Sequence, residues 1–289
     1  MLIEVFNMKK KSTKALWAII LIISIAICVV CALWLVNYFF FEDKNPIERQ
    51  PSATTVSSES EETTPKAEAE TKKEKSTQAP TERFKETTST LPENDFVDFK
   101  EIMEINPDIY AWIYIPNTNV DYPVAQSGSD NDDSFYLSHN VYKNYQFSGT
   151  IYTEKKNSRD FTDPVTVLYG HNMLNGSMFA SLHNFSDKEF FDNNNTMFIF
   201  TKDKVLTYLI YSAYQYDDRH ILNSFDMSES TNLRLYLDTT LTQRPYYCNI
   251  REGVELTTDD HIVTLSTCMP GGGNVRYLVQ GVLVNEQDA

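Results

Sequence analysis

Residues 15–41, ALWAIILIISIAICVVCALWLVNYFFF, contain no charged side chain. A helix that is apolar on every side does not suit the surface of a water-soluble fold. About 20 such residues match the hydrocarbon thickness of a bilayer. The run exceeds the roughly 7–15-residue apolar core of a cleavable signal peptide, and no small-x-small cleavage site closes it. The expectation is a transmembrane helix over 15–41. Lys9, Lys10, Lys11 and Lys14 precede the run, and Glu42 and Asp43 follow it. The positive-inside rule then predicts a cytoplasmic basic tail at 1–14, a single pass through the cell membrane and an extracytoplasmic remainder. Trp34, Tyr38 and Phe39–Phe41 suit the outer interface.

Residues 42–94 are rich in Ser, Thr, Glu, Lys and Pro, with Phe84 their one aromatic side chain. Such a segment cannot bury enough apolar surface to offset chain entropy, so it reads as a disordered stalk. Residues 95–289 are long enough for one sizeable core. They carry 13 basic and 27 acidic side chains of the chain's 25 and 40. Phosphate binding needs clustered Lys and Arg, so this balance excludes nucleic acid as a partner.

Phe96, Phe99, Ile102 and Met103 fall at helical spacing, with Asn94 or Asp95 as cap. Runs rich in Val, Ile, Tyr, Thr and Phe follow at 110–115, 119–125, 149–153, 166–170, 197–201, 205–216, 261–267 and 275–284, and read as strands. Helical pieces are expected at 177–184 and 228–241. Many strands with few helices predict a mainly β fold, a closed or nearly closed barrel, with a mixed α+β sandwich as the alternative.

Four cysteines are present, of which Cys28 and Cys31 lie in the apolar run. Cys248 and Cys268 are too few for a disulfide scaffold, although a single bridge between them stays open. In HIVTLSTC, Cys268 ends a strand and shares a face with Ile262, Thr264 and Ser266. A thiol at a strand end beside a glycine-rich loop is placed to meet a substrate, whereas most free cysteines are small buried hydrophobes. Arg276 lies eight residues on, in an apolar strand where a guanidinium needs a partner. A hairpin would bring it beside the thiol, where it could donate to an oxyanion and favour a thiolate. His171 follows the strand TVLYG. A cysteine nucleophile needs an imidazole in reach, as base or charged partner and as acid for a leaving amine. His139, His183 and His220 lack a flanking strand of this kind, and His261 faces away from Cys268. No zinc motif, nucleophile elbow or phosphate loop occurs outside the apolar run, so no metal and no cofactor is implied.

These residues resemble a family. TLSTC at 264–268, His171 in YGHNM and Arg276 in RYLVQGVLV are similar to the active-site motifs of sortases, the cell-wall cysteine transpeptidases. INPDIYAWIYIPNTNVDYPV, YGHNMLNGSMF and the long segment between Tyr214 and Cys268 resemble class B. The resemblance implies a sortase-like closed barrel of about eight strands over 95–289, with an N-terminal helix and a helix in the insertion before the Cys268 strand. It implies catalysis by Cys268, His171 and Arg276, and a substrate groove holding Asn131, Leu137, Tyr169, Ser177, Tyr214 and Ser266. The partners it implies are secreted proteins with a C-terminal Pro-x-Thr-type sorting signal and a cell-wall precursor amine. MPGGGNV after Cys268 is more glycine-rich than in many relatives, and SGSDNDDSFYL is longer than in some. A pilin-polymerising enzyme with a Lys acceptor, a cysteine protease and a stalked surface-binding protein are the other readings.

Overall fold

A computed structural model of the protein describes residues 20–33, 97–271 and 273–289. Residues 20–33 are helical with exposed side chains and belong to a unit separate from the rest. The expected membrane span requires correction. Residues 15–19 and 34–41 of the expected span lie outside the described residues. Among the described residues no helix is long and apolar enough to cross a membrane. The single-pass localisation that rested on that span, with its cytoplasmic tail and extracytoplasmic domain, is withdrawn, and so is the membrane as a partner. The tail at 1–14 and the stalk at 42–94 lie outside the described residues.

The main body opens on α1 (Phe99–Ile105), capped by Asp98, whose carboxylate accepts from the Lys100 and Glu101 amides. The caps expected at Asn94 or Asp95, and Phe96, lie outside the described residues. Strands β1 (Ile109–Tyr114), β2 (Asp121–Gln126), β3 (Ile151–Thr153) and β4 (Val165–Tyr169) follow, then α2 (Lys188–Asn193), β5 (Thr196–Thr201) and β6 (Lys204–Asp217). After a short helix α3 (Ile221–Ser224) come α4 (Ser230–Thr240), β7 (Cys248–Ile250), β8 (Ile262–Cys268) and β9 (Val275–Asp288). Two 3₁₀ segments, Phe135–Leu137 and Ala180–Ser186, interrupt the long connections.

Among the described residues the strands pair in the order β5-β1-β2-β3-β4-β8-β9-β6-β7, and a further β5–β6 pairing closes the first eight into a barrel. Closure is possible because β6 is 14 residues long. Its first half, Val205 to Leu209, pairs with β5, and its second half, Ser212 to Tyr214, pairs with β7. Closing the ring removes the open sheet edges that would otherwise leave backbone groups unpaired. β2–β3 and β4–β8 are parallel, and the other pairs are antiparallel.

Alternation along the strands sorts the core. Ile113, Val124, Leu168, Val263, Leu265 and Val279 belong to one buried cluster. Side chains of the other parity, including Val167, Ile262 and Leu278, pack with Leu233, Tyr236 and Leu237 of α4. The buried positions of α4 are Leu233, Tyr236, Leu237 and Thr240, the spacing that places one helical stripe on a sheet. α1 sets Phe99 and Ile102 against Trp112, Phe198 and Phe200. A buried polar network ties α4 to the barrel. Tyr236 Oη shares a 3.0 Å hydrogen bond with Thr264 Oγ1, Gln280 Nε2 donates to both, and Ser212 Oγ donates to Gln280 Oε1.

Candidate active site

β4 and β8 run parallel, with Tyr169 the register partner of Ser266. Two residues on lie His171, just past the end of β4, and Cys268, the last residue of β8. β8 and β9 run antiparallel, with Cys268 the partner of Arg276, and the Met269 amide donates to the Val275 carbonyl to close the hairpin. Partners in such a ladder have Cα atoms about 5 Å apart. The barrel thus brings the ends of three strands together, and Cys268, His171 and Arg276 line one cavity of about 270 Å³.

Cys268 is a half-buried free thiol, and Cys248 is free as well. Arg276 is half-buried. It donates to the Val275 carbonyl at 3.3 Å, and among the described residues no carboxylate forms an ion pair with it. Its charge acts on Tyr152, which also lines the cavity. A guanidinium without a carboxylate partner can donate to an oxyanion and offset a thiolate charge.

His171 is held from two sides. Its Nε2 lies 2.9 Å from the Leu137 carbonyl, which can only accept, so Nε2 carries a proton. Its ring stacks on Phe147 with centroids 5.3 Å apart. Two glycines make this possible. A Cβ on Gly170 would fall 2.5 Å from Ile151 Cδ1 and 2.7 Å from the Phe179 ring. Gly149 has φ +63°, and a Cβ there would fall within 2.5 Å of the Tyr136 and Leu137 carbonyl oxygens. A side chain at Gly149 would displace the carbonyl that anchors His171.

Of the six groove residues implied by the resemblance, Leu137, Tyr169 and Ser266 line this cavity. Asn131, Ser177 and Tyr214 do not. Asn131 offers its carbonyl to Lys155, and Ser177 donates to the Asn175 side chain. Tyr214 is fully buried with the Arg244 guanidinium over its ring at 3.7 Å. Tyr216, two residues on and on the same face of β6, reaches the cavity instead. Burial holds the phenols of Tyr152 and Tyr169 far above their ordinary range, so both line the cavity as neutral groups.

His220, its ring 6.2 Å from that of Tyr169, meets Glu154 Oε1 through Nε2 at 2.6 Å. Both line the cavity, and neither has a local pattern that marks it in the sequence. His261 contacts the Asp163 carbonyl, and His139 stacks on Phe135. Among the described residues no cluster of three or more His, Cys, Asp or Glu is placed to hold a metal ion.

A family model described as the sortase domain matches residues 113–284. The chain belongs to the sortase family. It is 33% identical over 194 residues to sortase B of Listeria monocytogenes, covering 65% of this chain and 75% of that protein. It is 26% identical over 187 residues to sortase B of Staphylococcus aureus, covering 65% and 74%. The crystal structure of Clostridium perfringens sortase B superposes with a TM-score of 0.56 at 31% identity, over 65% of this chain and all of that one. A Staphylococcus aureus sortase B–substrate complex gives 0.56 at 25% identity, over 65% and 84%. The chain is a class B sortase by these likenesses, and its eight-stranded closed barrel with helices is the sortase B fold. Sortases are cysteine transpeptidases, so the chemistry to be explained is acyl transfer.

Proposed function

We propose that this sortase cleaves a Pro-x-Thr-type sorting signal near the C-terminus of secreted proteins and joins the Thr carbonyl to a cell-wall precursor amine. The observation that carries this reading is that Cys268, His171 and Arg276 line one cavity. The Cys268 thiolate attacks the Thr carbonyl carbon, and the carbonyl electron pair moves to oxygen. Arg276 donates to that oxyanion. Collapse breaks the peptide bond, and His171 gives its proton to the departing amine. A thioester on Cys268 remains. The acceptor amine attacks it, a proton returns to His171, and a new amide forms as the thiolate leaves. Leu137, Tyr169 and Ser266 line the same cavity as the nucleophile, which supports a role in holding the peptide.

The partition of the thioester tests this. Purified protein is given a peptide with an Asn-Pro-x-Thr core, with and without an amine nucleophile. The amine raises turnover, and mass spectrometry shows the Thr-amide adduct. Hydrolysis at the same rate with or without amine, and no adduct, would establish a protease instead.

A further inference from the structure

The parallel β4–β8 ladder ends on a bond from the Gly170 amide to the Ser266 carbonyl, 3.2 Å. In a parallel ladder the next bond of the same direction falls two residues on along both strands, from the amide of residue 172 to the carbonyl of Cys268. The backbone does not make it. After Gly170 the chain turns away, the His171 carbonyl accepts the Phe179 amide at 2.9 Å, and Asn172 bridges to Met178. This departure is what brings the His171 side chain to the cavity. It also strands the carbonyl of Cys268, on the residue that bears the nucleophile. Two side chains take over. Asn172 Nδ2 donates to the Cys268 carbonyl at 3.1 Å, and His183 Nε2 meets the same oxygen at 3.1 Å. A carbonyl only accepts, so His183 carries its proton on Nε2. His183 comes from the 3₁₀ segment Ala180–Ser186, and its ring rests on Tyr277 of β9 with centroids 5.0 Å apart.

We propose that Asn172 and His183 are positioning residues of this sortase, two side chains that replace the missing rung and hold the Cys268 carbonyl so that thiol, imidazole and guanidinium keep their places. The inference rests on Cys268 as nucleophile. Asn172 is covalently next to His171, so its hydrogen bond also ties the imidazole loop to the thiol strand. Burial lowers the basicity of His183, which favours a neutral ring. A neutral ring with its proton on Nε2 donates without placing a second cation beside the cavity.

The test uses the full chain and the variants Asn172→Ala, His183→Phe and His183→Gln, with thermal unfolding followed for each. His183→Phe keeps a ring on Tyr277 and removes the donor, whereas His183→Gln keeps a donor. Asn172 is half-exposed, so Asn172→Ala tests the same bond with little change in packing. Misplacing a reacting group by 1 Å can cost about 100-fold in rate, and the expectation is a fall in kcat of about ten-fold or more for Asn172→Ala and His183→Phe. KM should change by less than about two-fold, the signature of a contact that matters to the reacting centre rather than to substrate affinity. His183→Gln should recover most of the rate. Iodoacetamide labelling of the unaltered chain, mapped by peptide mass spectrometry, checks the nucleophile separately. A labelled Cys268 together with variant kcat values within about two-fold of the parent would overturn the clamp. So would a fall that His183→Gln leaves uncorrected. An unreactive Cys268 would instead remove the nucleophile on which the clamp depends.

Discussion

Arg276, the second residue of β9, lies directly across from Cys268, and its value to the reaction lies in shape as much as charge. A guanidinium offers a planar fork of donors, while an ammonium offers a point charge on a flexible stem. Arg276→Lys therefore keeps the field at the thiol and loses the aligned donors to the oxyanion. Loss of one such donor costs about 10²–10³-fold in kcat. Steady-state kinetics should show that fall with the folded structure retained, and unchanged turnover would remove Arg276 from the mechanism. At this scale the sequence was legible where a residue has a local context. His171, Cys268 and Arg276 each sit at a strand end, and motif spacing singled them out. Tyr214 shows the limit. The resemblance implies it for the groove; it is fully buried, and Tyr216, two residues on, lines the cavity that holds the three strand ends. Asn172 and His183 were missed because their partner is a backbone carbonyl, which no side-chain pattern announces.

The element that supports the site from beneath is α4, which packs on the strand face shared by Ile262, Thr264 and Ser266. Its attachment runs through Gln280, a fully buried amide that satisfies Tyr236, Thr264 and Ser212 together. Gln280→Leu conserves volume and leaves those hydroxyls without their common partner. An unsatisfied buried group costs about 1–3 kcal/mol, so urea unfolding should show a midpoint lower by that equivalent with an unchanged slope. An unaltered midpoint would mean that the network contributes nothing net. The eight strands of the barrel were readable from β-branched and aromatic runs, to within a residue or two at most ends. β7 was not: its three residues, CNI at Cys248–Ile250, lack the β-branched and aromatic run that marks the equally short β3, IYT. The piece expected at 177–184 is a 3₁₀ segment, Ala180–Ser186. The helix that follows, α2, was not foreseen: it is six residues long and is set by its cap, Asp187, which accepts from the Phe190 amide.

Across the whole molecule, function depends on closure. His171 and Cys268 are 97 positions apart, and they meet because β4 and β8 are neighbours in a ring that β5 and β6 complete. A closed or nearly closed barrel could be read from strand number and composition, but strand order could not, since alternation fixes faces and not neighbours. The single-pass localisation read from 15–41 is corrected, since among the described residues no helix is long and apolar enough to cross a membrane. The account stands or falls on the bond to sulfur. The protein is mixed with an Asn-Pro-x-Thr peptide without amine, quenched in acid and measured by intact mass. The expected result is an adduct of the peptide's acyl portion, mapped to Cys268 and absent from a folded Cys268→Ala variant. An adduct on that variant, or turnover that survives the substitution, would contradict it.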